Sequence, residues 1–301
     1  MDQQSQIIVL CGKGGVGKTT VSLALGLKEA SLGRRVVIVS SHPLAELAIS
    51  VSLEGLAARS PVAARNLFVV HLDAREMLQE IVEKHFPIPA VARTILNSSI
   101  FRNLIEVAPG LKEFYFLARL QQLAERKSTV PGTPDYDVLI WDAPASGHFL
   151  TTLRAARAFE TFLTGPLAAA GAELDRFFSH SENLKIIPVT SLEEMAITET
   201  IEMSESLERD FNLRPEALVL NMVSPLVTAR AEDVAALHID SHSSVALRFA
   251  VERGIRERAL GEEVRASVDA PQIPIPRIRE WKGDLDLLDQ VSRWITLPAV
   301  A

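Results

Sequence analysis

The stretch of residues 7–20, IIVLCGKGGVGKTT, decides the fold. An apolar run leads into residues 12–19, which match the spacing G-x-x-x-x-G-K-[ST] of a phosphate-binding loop. The glycines allow the backbone to curl so that its N–H groups point inward at phosphate oxygens. A helix pattern, VSLALGLKEA, follows at once, and its N-terminal dipole end also favours an anion. The motif therefore predicts a strand, a phosphate-binding loop and a helix in that order.

The two lysines of this loop have different predicted roles. Lys18 would contact the β- and γ-phosphates of a bound nucleotide, and Thr19 would bind Mg²⁺ through its hydroxyl. Lys13 has no evident phosphate to contact within its own chain. A loop with this second lysine resembles those of the deviant P-loop ATPases, in which nucleotide binds at a dimer interface. There the extra lysine reaches the partner's phosphates, as an arginine finger does. The alternative for Lys13 is a solvated surface side chain.

A second phosphate-side motif follows a later apolar run. The segment DVLIWD (137–142) ends in Asp142, which is the Walker B arrangement. The carboxylate would lie opposite Thr19 and hold Mg²⁺, directly or through water. Small residues come next, and they would let a switch loop approach the γ-phosphate, where Gly147 would offer its N–H. The alternative for Asp142 is a residue that only ends a strand.

The composition limits the class of protein. With 301 residues, 48% of them hydrophobic, the chain has the size of one α/β domain with an insertion, or of two domains. Its net charge of −7 argues against nucleic-acid binding through phosphate attraction. The N-terminal MDQQSQ has no secretory pattern, and no run of about 18 apolar residues occurs. We therefore expect no nucleic-acid partner, no transmembrane segment and a cytoplasmic location.

Cys11 is the one cysteine of the sequence, at the end of the first predicted strand. A single thiol excludes both an internal disulfide and a thiolate metal cluster. Two interpretations stay open for Cys11: a small buried packing residue, or a reactive thiol beside a helix N-terminus.

Apolar runs alternate with helical stretches along the chain. This alternation predicts an α/β fold with a doubly wound, mostly parallel sheet and helices on both faces. The predicted strands are 7–11, 35–40, 67–72, 137–142, 184–190 and 217–223, with an edge strand near 271–276, where proline limits pairing. The predicted helices include 20–32, 74–86, 193–211 and 284–295.

The strand pattern lapses between residues 73 and 135. Two helix-rich pieces, REMLQEIVEKHF and PGLKEFYFLARLQQLAERK, enclose a segment of mixed polarity there. We interpret 73–130, with a shorter piece at about 150–180, as a helical subdomain. It would be inserted into a P-loop ATPase core formed by 1–72 and 131–301. Its apolar positions fit either ordinary packing of helices on the sheet or a groove for a client.

With both phosphate-side motifs in place, the chain resembles the arsenite-transport and tail-anchored-protein-targeting ATPases. The resemblance covers roughly residues 6–225 and fades in the C-terminal quarter. The Asp-Ala-Pro-x-x-Gly-His element separates this family from other P-loop families. The segments that carry the resemblance are GKGGVGKTT (12–20), PGLKE (109–113), DAPASGH (142–148), IIPVTSLEEMAITET (186–200) and LVLNMV (218–223).

This resemblance implies an ATP- and Mg²⁺-dependent dimer with an α/β core and a helical subdomain. It implies a catalytic role for Lys13 across the dimer, and for Lys18 and Asp142 within their own chain. The ligands of phosphate and Mg²⁺ that it implies are Gly14, Gly15, Val16, Gly17, Lys18, Thr19 and Thr20.

The resemblance also assigns the base-binding end of the site. Asn221 matches the position that hydrogen-bonds adenine, and an amide suits this role because it is both donor and acceptor. The alternative for Asn221 is a role in a turn or cap. Pro274 or Pro276 would close the adenine pocket.

The chain departs from the family at the switch after the second strand. The family pattern reads Asp-Pro-Ala-x-x-Leu, and its Asp positions the attacking water. This chain has SSHPLAEL at 40–47, with His42 in place of that Asp, while Pro43 and Leu47 keep the alignment. A neutral imidazole can orient water, but nearby phosphates raise the pKa of a histidine, and a protonated histidine is no base. Two outcomes stay open: slow or absent hydrolysis, or hydrolysis supported by His42 or another group.

Two further departures concern the client. The chain lacks the thiolates that arsenite requires and has no Cys-x-x-Cys pair for a shared zinc within 243–260. It contains 5 Met, and residues 149–183 leave little room for the Met-rich helices that cradle a membrane anchor. We therefore do not expect arsenite binding, and the resemblance gives only weak support for the capture of tail anchors.

Two classes of function follow from these residues. The first is a dimeric ATPase that couples nucleotide state to an unknown protein client or partner. The second is a non-hydrolysing, nucleotide-binding regulatory subunit in a heterodimer with a paralogous ATPase that keeps the catalytic Asp. A septum- or plasmid-positioning ATPase ranks lower, because the C-terminal helix is acidic rather than basic. Nitrogenase-reductase chemistry is excluded by the missing cluster cysteines.

Overall fold

The structure is a computed structural model that describes residues 6–40, 60–72, 110–125, 136–162, 164–180, 184–229, 232–233 and 244–297. The strands are β1 (Gln6–Gly12), β2 (Val36–Ser40), β3 (Leu67–His71), β4 (Val138–Ala145), β5 (Leu184–Thr190), β6 (Leu218–Val223) and β7 (Gln272–Pro276). The helices are α1 (Lys18–Ser31), α2 (Pro61–Asn66), α3 (Leu111–Ala124), α4 (Ser146–Phe162), α5 (Pro166–His180), α6 (Glu194–Phe211), α7 (Pro225–Thr228), α8 (Val245–Ser267) and α9 (Asp284–Ser292).

These strands form one parallel sheet in the order β3-β2-β4-β1-β5-β6-β7. The central strand β1 pairs with β4 on one side and β5 on the other, and its Leu10 lies opposite Asp142 and Ile187. Chain order reverses beside β1, and the carboxyl ends of all the strands meet at one edge of the sheet. Ligands of open α/β sheets bind at such an edge. The predicted doubly wound parallel fold is confirmed.

Alternating residues of the strands bury opposite faces of the sheet. On one face, the odd-numbered residues of β1, β2 and β4, such as Ile7, Val9 and Trp141, pack against α3, α4, α5 and part of α6. On the other face, the even-numbered residues of these strands, such as Ile8 and Leu10, pack against α1, α2 and α9. A third cluster joins α6, β6 and α8. Because a strand turns successive side chains to opposite sides, this pattern requires helices on both faces.

Six of the seven strands lie within one residue of their predicted ends. The exception is β4. Its predicted end was Asp142, but the strand continues to Ala145, because Ala145 still pairs with Gly12 of β1. Helix α4 then begins at Ser146 without an intervening loop. The expected switch loop at this point is therefore wrong, and Gly147 lies in the first helical turn. The predicted helix 74–86 lies outside the described residues.

Within the predicted insertion at 73–130, residues 110–125 are described, and they pack on the sheet. In α3, Phe116 packs at a tilt against the buried Trp141 of β4, with ring centroids 5.4 Å apart, and Phe114 stacks on Phe159 of α4 at 4.2 Å. Each fully buried aromatic side chain of this kind stabilises the fold by roughly 1.5–3 kcal/mol. Residues 110–125 thus share a core with the sheet. The rest of 73–130 lies outside the described residues.

Candidate functional site

The loop between β1 and α1 depends on glycine at both of its ends. Gly12 has φ +138°, and a Cβ there would overlap the carbonyl oxygen of Val189 in β5. Gly17, the N-cap of α1, has φ +89°, and a Cβ there would overlap the side-chain amide of Asn221. Between them, Gly15 has φ +86° and open space around it. Only glycine adopts such positive φ angles readily, so the three glycines let the backbone turn tightly and form a cradle that is open to solvent at Gly15.

Lys18 is the first residue of α1, and its ammonium folds back into this cradle. Its Nζ donates to the carbonyl oxygens of Gly12, at 3.0 Å, and of Lys13, at 2.9 Å. Burial lowers the pKa of Lys18, and the nearby Asp142 carboxylate partly opposes that shift. A partly desolvated cation facing an open cradle is an arrangement that a phosphate group would stabilise.

Asp142 lies beside the first turn of α1. Its carboxylate is 5% exposed and accepts a hydrogen bond from the Ser22 hydroxyl at 3.1 Å. Thr19 lies three residues before Ser22, and residues at this spacing share one face of a helix. The β4 register also sets Asp142 opposite Ser40, the last residue of β2. Asp142 therefore lies close both to the face of α1 that carries Thr19 and to the carboxyl end of β2.

Lys13 forms an ion pair within its own chain. Its Nζ lies 2.6 Å from an Oε2 of Glu199 in α6, and each side chain is 32% exposed. The other oxygen of Glu199 accepts a short hydrogen bond from the buried Ser146 hydroxyl, at the start of α4. Burial acts to raise the pKa of Glu199, but the hydrogen bonds from Lys13 and Ser146 outweigh it, so the pKa lies below its usual value. One carboxylate thus joins the glycine loop to the helix after Asp142.

Asn221 approaches the loop from β6. Its Nδ2 donates to the Val16 carbonyl oxygen at 2.9 Å, and its Oδ1 accepts from the N–H of Met222 at 3.0 Å. The side chain is 6% exposed. An amide offers two N–H donors and two lone pairs, so one N–H and one lone pair remain for a ligand. The structural role and the ligand role that the sequence left open for Asn221 are therefore compatible.

The other predicted ligands occupy varied positions. Gly14 is exposed, Thr19 and Thr20 are half-buried, and Val16 is buried in the core beneath the loop. Gly147 is exposed in the first turn of α4, where N–H groups have no intrahelical partner. Pro276 is half-buried at the end of β7, opposite Val223 of β6. His42, with Pro43 and Leu47, lies outside the described residues.

Cys11 is a buried packing residue. It is fully buried in β1, and burial raises the pKa of its thiol to about 12, although Lys18 acts to lower it. A thiol with such a pKa stays protonated and unreactive at neutral pH. Of the two interpretations of Cys11, the structure favours packing.

The sequence motifs did not predict two carboxylates near the site. Glu199 is partly exposed on α6, next to the buried Thr200, whereas Glu257 is buried on α8 between Gly254 and Leu260. Only Glu257 left a signal in the sequence, because an acid three residues from the small, buried Gly254 interrupts the buried stripe of its helix.

The described residues fit the triphosphate of a nucleotide with Mg²⁺. A cradle of glycines at positive φ, a lysine turned into it, and a hydroxyl and a carboxylate near the first helical turn form a suitable donor set. Thr19 and Asp142 are the groups that would hold Mg²⁺. The parallel sheet and this site define a P-loop nucleotide-binding protein of the α/β class.

Comparison with known proteins narrows this class to one family. A family model described as "Anion-transporting ATPase" matches residues 5–209, more than half of the chain. The chain belongs to this family of ATPases, as the resemblance predicted. The matched region contains the glycine loop, Asp142 and Glu199, and it ends before Asn221.

Individual relatives are distant. A putative arsenical pump-driving ATPase 2 of Aquifex aeolicus is 29% identical over 160 residues, 50% of each chain. The ATPase BagA of Mycobacterium tuberculosis is 26% identical over 213 residues, 66% of this chain and 60% of that protein. The ATPase GET3 of Malassezia globosa is 26% identical over 186 residues, 61% of this chain and 52% of that protein. The matches thus span only about half the length of these relatives. Among the described helices, none has the length and apolar character needed to cross a bilayer.

Proposed function

We propose that the chain binds ATP with Mg²⁺ and acts as a nucleotide-dependent dimer that couples its nucleotide state to a protein client or partner. The observation that carries the proposal is the meeting of Lys13, Lys18 and Asp142 around one glycine cradle. Family membership supports an ATPase activity of this type. When bound, ATP supplies the phosphoanhydride chemistry, and Mg²⁺ supplies charge neutralisation.

Each residue of the site has a proposed task. Backbone N–H groups of residues 14–20 would bind phosphate oxygens, and Lys18 would exchange its two carbonyl contacts for contacts with phosphate. Thr19 and Asp142 would hold Mg²⁺, and Gly147 would offer its N–H to the γ-phosphate. Asn221 would hydrogen-bond adenine, with Pro276 beside the base. In this set, backbone N–H groups and charged side chains would bind the triphosphate and its Mg²⁺, and an uncharged amide would bind the base.

The dimer follows from Lys13. Its own cradle already contains Lys18, and its ammonium points instead to Glu199. We propose that in the ATP-bound dimer this ammonium contacts the partner's phosphates and offsets the charge that develops in phosphoryl transfer. Both a homodimer and a heterodimer with a paralogous ATPase satisfy this geometry. We do not propose arsenite as a ligand of the chain, because arsenic(III) favours thiolates and Cys11, the one cysteine of the sequence, is buried.

Calorimetry and sedimentation test the proposal together. We expect ATP with Mg²⁺ to bind with micromolar affinity or better, and a nonhydrolysable ATP analogue to shift the chain from monomer to dimer in sedimentation velocity. The dimer would be contradicted if the chain sediments as a monomer with every nucleotide, both when purified alone and when its co-purifying proteins are present. Failure to bind any nucleoside triphosphate would contradict the whole proposal.

Hydrolysis is a separate part of the proposal and depends on His42. We propose that turnover is slow, because a histidine beside phosphates gains a proton and then cannot act as a base. His42→Asp should raise the rate of phosphate release. If it does not, the missing carboxylate is not what limits hydrolysis.

The same residue supports a second candidate function. A chain with an intact glycine loop and His42 in the switch is suited to be a non-hydrolysing regulatory subunit beside a paralogous ATPase. Purification from the native cell distinguishes the two candidates. A stoichiometric paralogue that has Asp at the position of His42 supports the regulatory subunit, and a homodimer supports the ATPase.

The domain division stays a proposal as well. We propose a helical subdomain at 73–130, with about 150–180, on a core of 1–72 and 131–301. The contacts of α3 and α5 with α4 support the grouping of these helices, which also share one core with the sheet. Hydrogen exchange should show α3 and α5 opening together before the central strands. Uniform exchange across both regions would contradict the division.

A further inference from the structure

We infer that Glu257 in α8 is a positioning residue for the base-binding end of the site, because its buried carboxylate fixes the turn after β6 that presents Asn221. This inference rests on the proposed binding of ATP. It adds a residue outside the region that the family model matches.

Glu257 is buried, and both of its carboxylate oxygens accept hydrogen bonds. The residue is 4% exposed, and its Oε2 accepts a hydrogen bond from the backbone N–H of Ser224 at 2.6 Å. Its Oε1 accepts from Nε of Arg253, one turn earlier on α8, also at 2.6 Å. Burying a carboxylate is costly unless such charge-assisted hydrogen bonds satisfy it. A buried carboxylate on a single backbone N–H indicates that the position of Ser224 matters.

The backbone between Ser224 and Asn221 is bent in a way that needs support. Met222 has φ +57°, a left-handed conformation that a methionine rarely adopts. The pairing of β6 with β7 shifts register between Leu220 and Val223 at the same place. Such strained conformations persist only where the surroundings determine them. The Asn221 side chain is tied to this bend, because its Oδ1 accepts from the N–H of Met222 while its Nδ2 donates to the Val16 carbonyl oxygen.

A second contact fixes the same turn from α8. A Cβ on Gly254 would lie 2.5 Å from Cδ1 of Leu226, the second residue of α7. The absence of a side chain at Gly254 therefore lets α7 lie directly on α8. Glu257 and Gly254 together hold residues 224–226, and on the other side Arg277 donates its N–H to the Val223 carbonyl at 2.9 Å. The turn is held on both sides, with Glu257 as its charged contact.

The test separates the base end from the phosphate end with two ligands. Tripolyphosphate has the phosphates of ATP and no base, so it reports on the glycine loop alone. We expect Glu257→Gln, which keeps the size but removes the charge, to weaken ATP binding three- to tenfold. It should lower the ratio of ATP to GTP affinity by a similar factor and leave tripolyphosphate binding unchanged. The matched control is Glu262→Gln, an exposed acid on the same helix, which should change none of these.

A double-variant comparison shows whether Glu257 acts through Asn221. Asn221→Ala should lower the ATP-to-GTP ratio on its own, and adding Glu257→Gln should lower it no further. Additive effects, or an unchanged ratio in Glu257→Gln, would overturn the inference while leaving ATP binding by the unsubstituted chain intact. If the unsubstituted chain binds neither ATP nor tripolyphosphate, the proposed function itself fails.

Folding is checked by thermal unfolding of each variant. Should Glu257→Gln fail to fold, Arg253→Gln serves in its place, since it frees one oxygen of Glu257 and keeps the Ser224 contact. It must then lower the ATP-to-GTP ratio in the same direction by a smaller factor. An unchanged ratio in that variant would overturn the inference equally.

Discussion

The two ends of the candidate nucleotide site are held by different kinds of contact. At the phosphate end, Lys13 and Glu199 form an ion pair in which each side chain is about a third exposed. At the base end, Asn221 and Glu257 are almost fully buried, and each is hydrogen-bonded to backbone groups. The Lys13–Glu199 contact at the phosphate end is therefore exchangeable, whereas the contacts of Asn221 and Glu257 at the base end are fixed.

This difference determines which end can respond to nucleotide. A partly exposed ion pair contributes little stability, because water and salt screen its charges, so breaking it costs little. A buried amide or carboxylate that loses its partner pays the full cost of an unsatisfied polar group, about 1–3 kcal/mol or more. We therefore expect Lys13 and Glu199 to separate on ATP binding and Asn221 to stay in place.

The largest expected effect is at the phosphate end. Lys18→Ala removes the ammonium that lies inside the cradle. A charge-assisted contact of this kind is worth about 2–3 kcal/mol, so ATP affinity should fall by roughly 30- to 150-fold. Calorimetry with ATP and Mg²⁺ measures it. Lys28→Ala, on the same helix but outside the loop, serves as control. Near-normal affinity in Lys18→Ala would contradict the phosphate role of this lysine.

The contact between the two ends can be broken by one methyl group. In Gly17→Ala the new Cβ must overlap the Asn221 amide at a positive φ, which should cost at least about 2 kcal/mol of unfolding free energy. Gly33→Ala is the matched control, since Gly33 also has positive φ but has open space, and should cost only about 1 kcal/mol. Chemical denaturation measures both.

A further variant shows whether the overlap is the cause. In an Asn221→Ala background, Gly17→Ala should lose less stability than it does alone, because the side chain that it strikes is gone. Equal losses in both backgrounds would mean that Asn221 does not fix the start of α1.

Lys13→Ala should separate binding from association. Because Lys13 pairs with Glu199 and not with its own cradle, ATP affinity should change by less than about threefold, or under about 0.7 kcal/mol. Nucleotide-driven dimerisation should be lost in sedimentation velocity. A variant that still dimerises with the analogue would argue against a contact across the dimer.

The smallest effect concerns the pH dependence of Glu199. Its folded-state pKa lies below the ordinary value of 4.5, so it stabilises the fold fully above about pH 4.5. That stabilisation is lost as pH falls through the folded-state pKa. The difference in stability between the unsubstituted chain and Glu199→Gln should be under about 1 kcal/mol at pH 7 and shrink below pH 4.5. Glu202→Gln, an exposed neighbour, should show no such pH dependence in urea titrations.

The sequence predicted the parts of the site that are local. The glycine loop, Lys18, Thr19 and Asp142 all follow from short motifs, because a strand, a tight turn and a helix start leave a pattern in adjacent residues. Six strand positions followed from apolar runs for the same reason. The helix start at Ser146 did not, because β4 continues to pair with Gly12 beyond the last apolar residue of its motif.

Contacts between distant residues could not be predicted in this way. Glu199 lies 186 positions from Lys13, and Glu257 lies 33 positions from Ser224. No local pattern links either pair, and only the order of strands in the sheet brings them together. Helix α8 was also missed as an element, because residues 245–250 at its start are all exposed and carry no one-sided apolar stripe.

A pair of crystal structures, one without nucleotide and one with Mg²⁺ and a nonhydrolysable ATP analogue, would show directly whether the two ends of the site respond differently to nucleotide. We expect the triphosphate to lie in the loop of residues 12–20 against Lys18. We also expect Lys13 to leave Glu199, while Asn221 stays hydrogen-bonded to the Val16 carbonyl, as it is in this structure at 2.9 Å. An empty loop, or a bound analogue with the Lys13–Glu199 pair intact and Asn221 displaced, would refute this difference between the two ends.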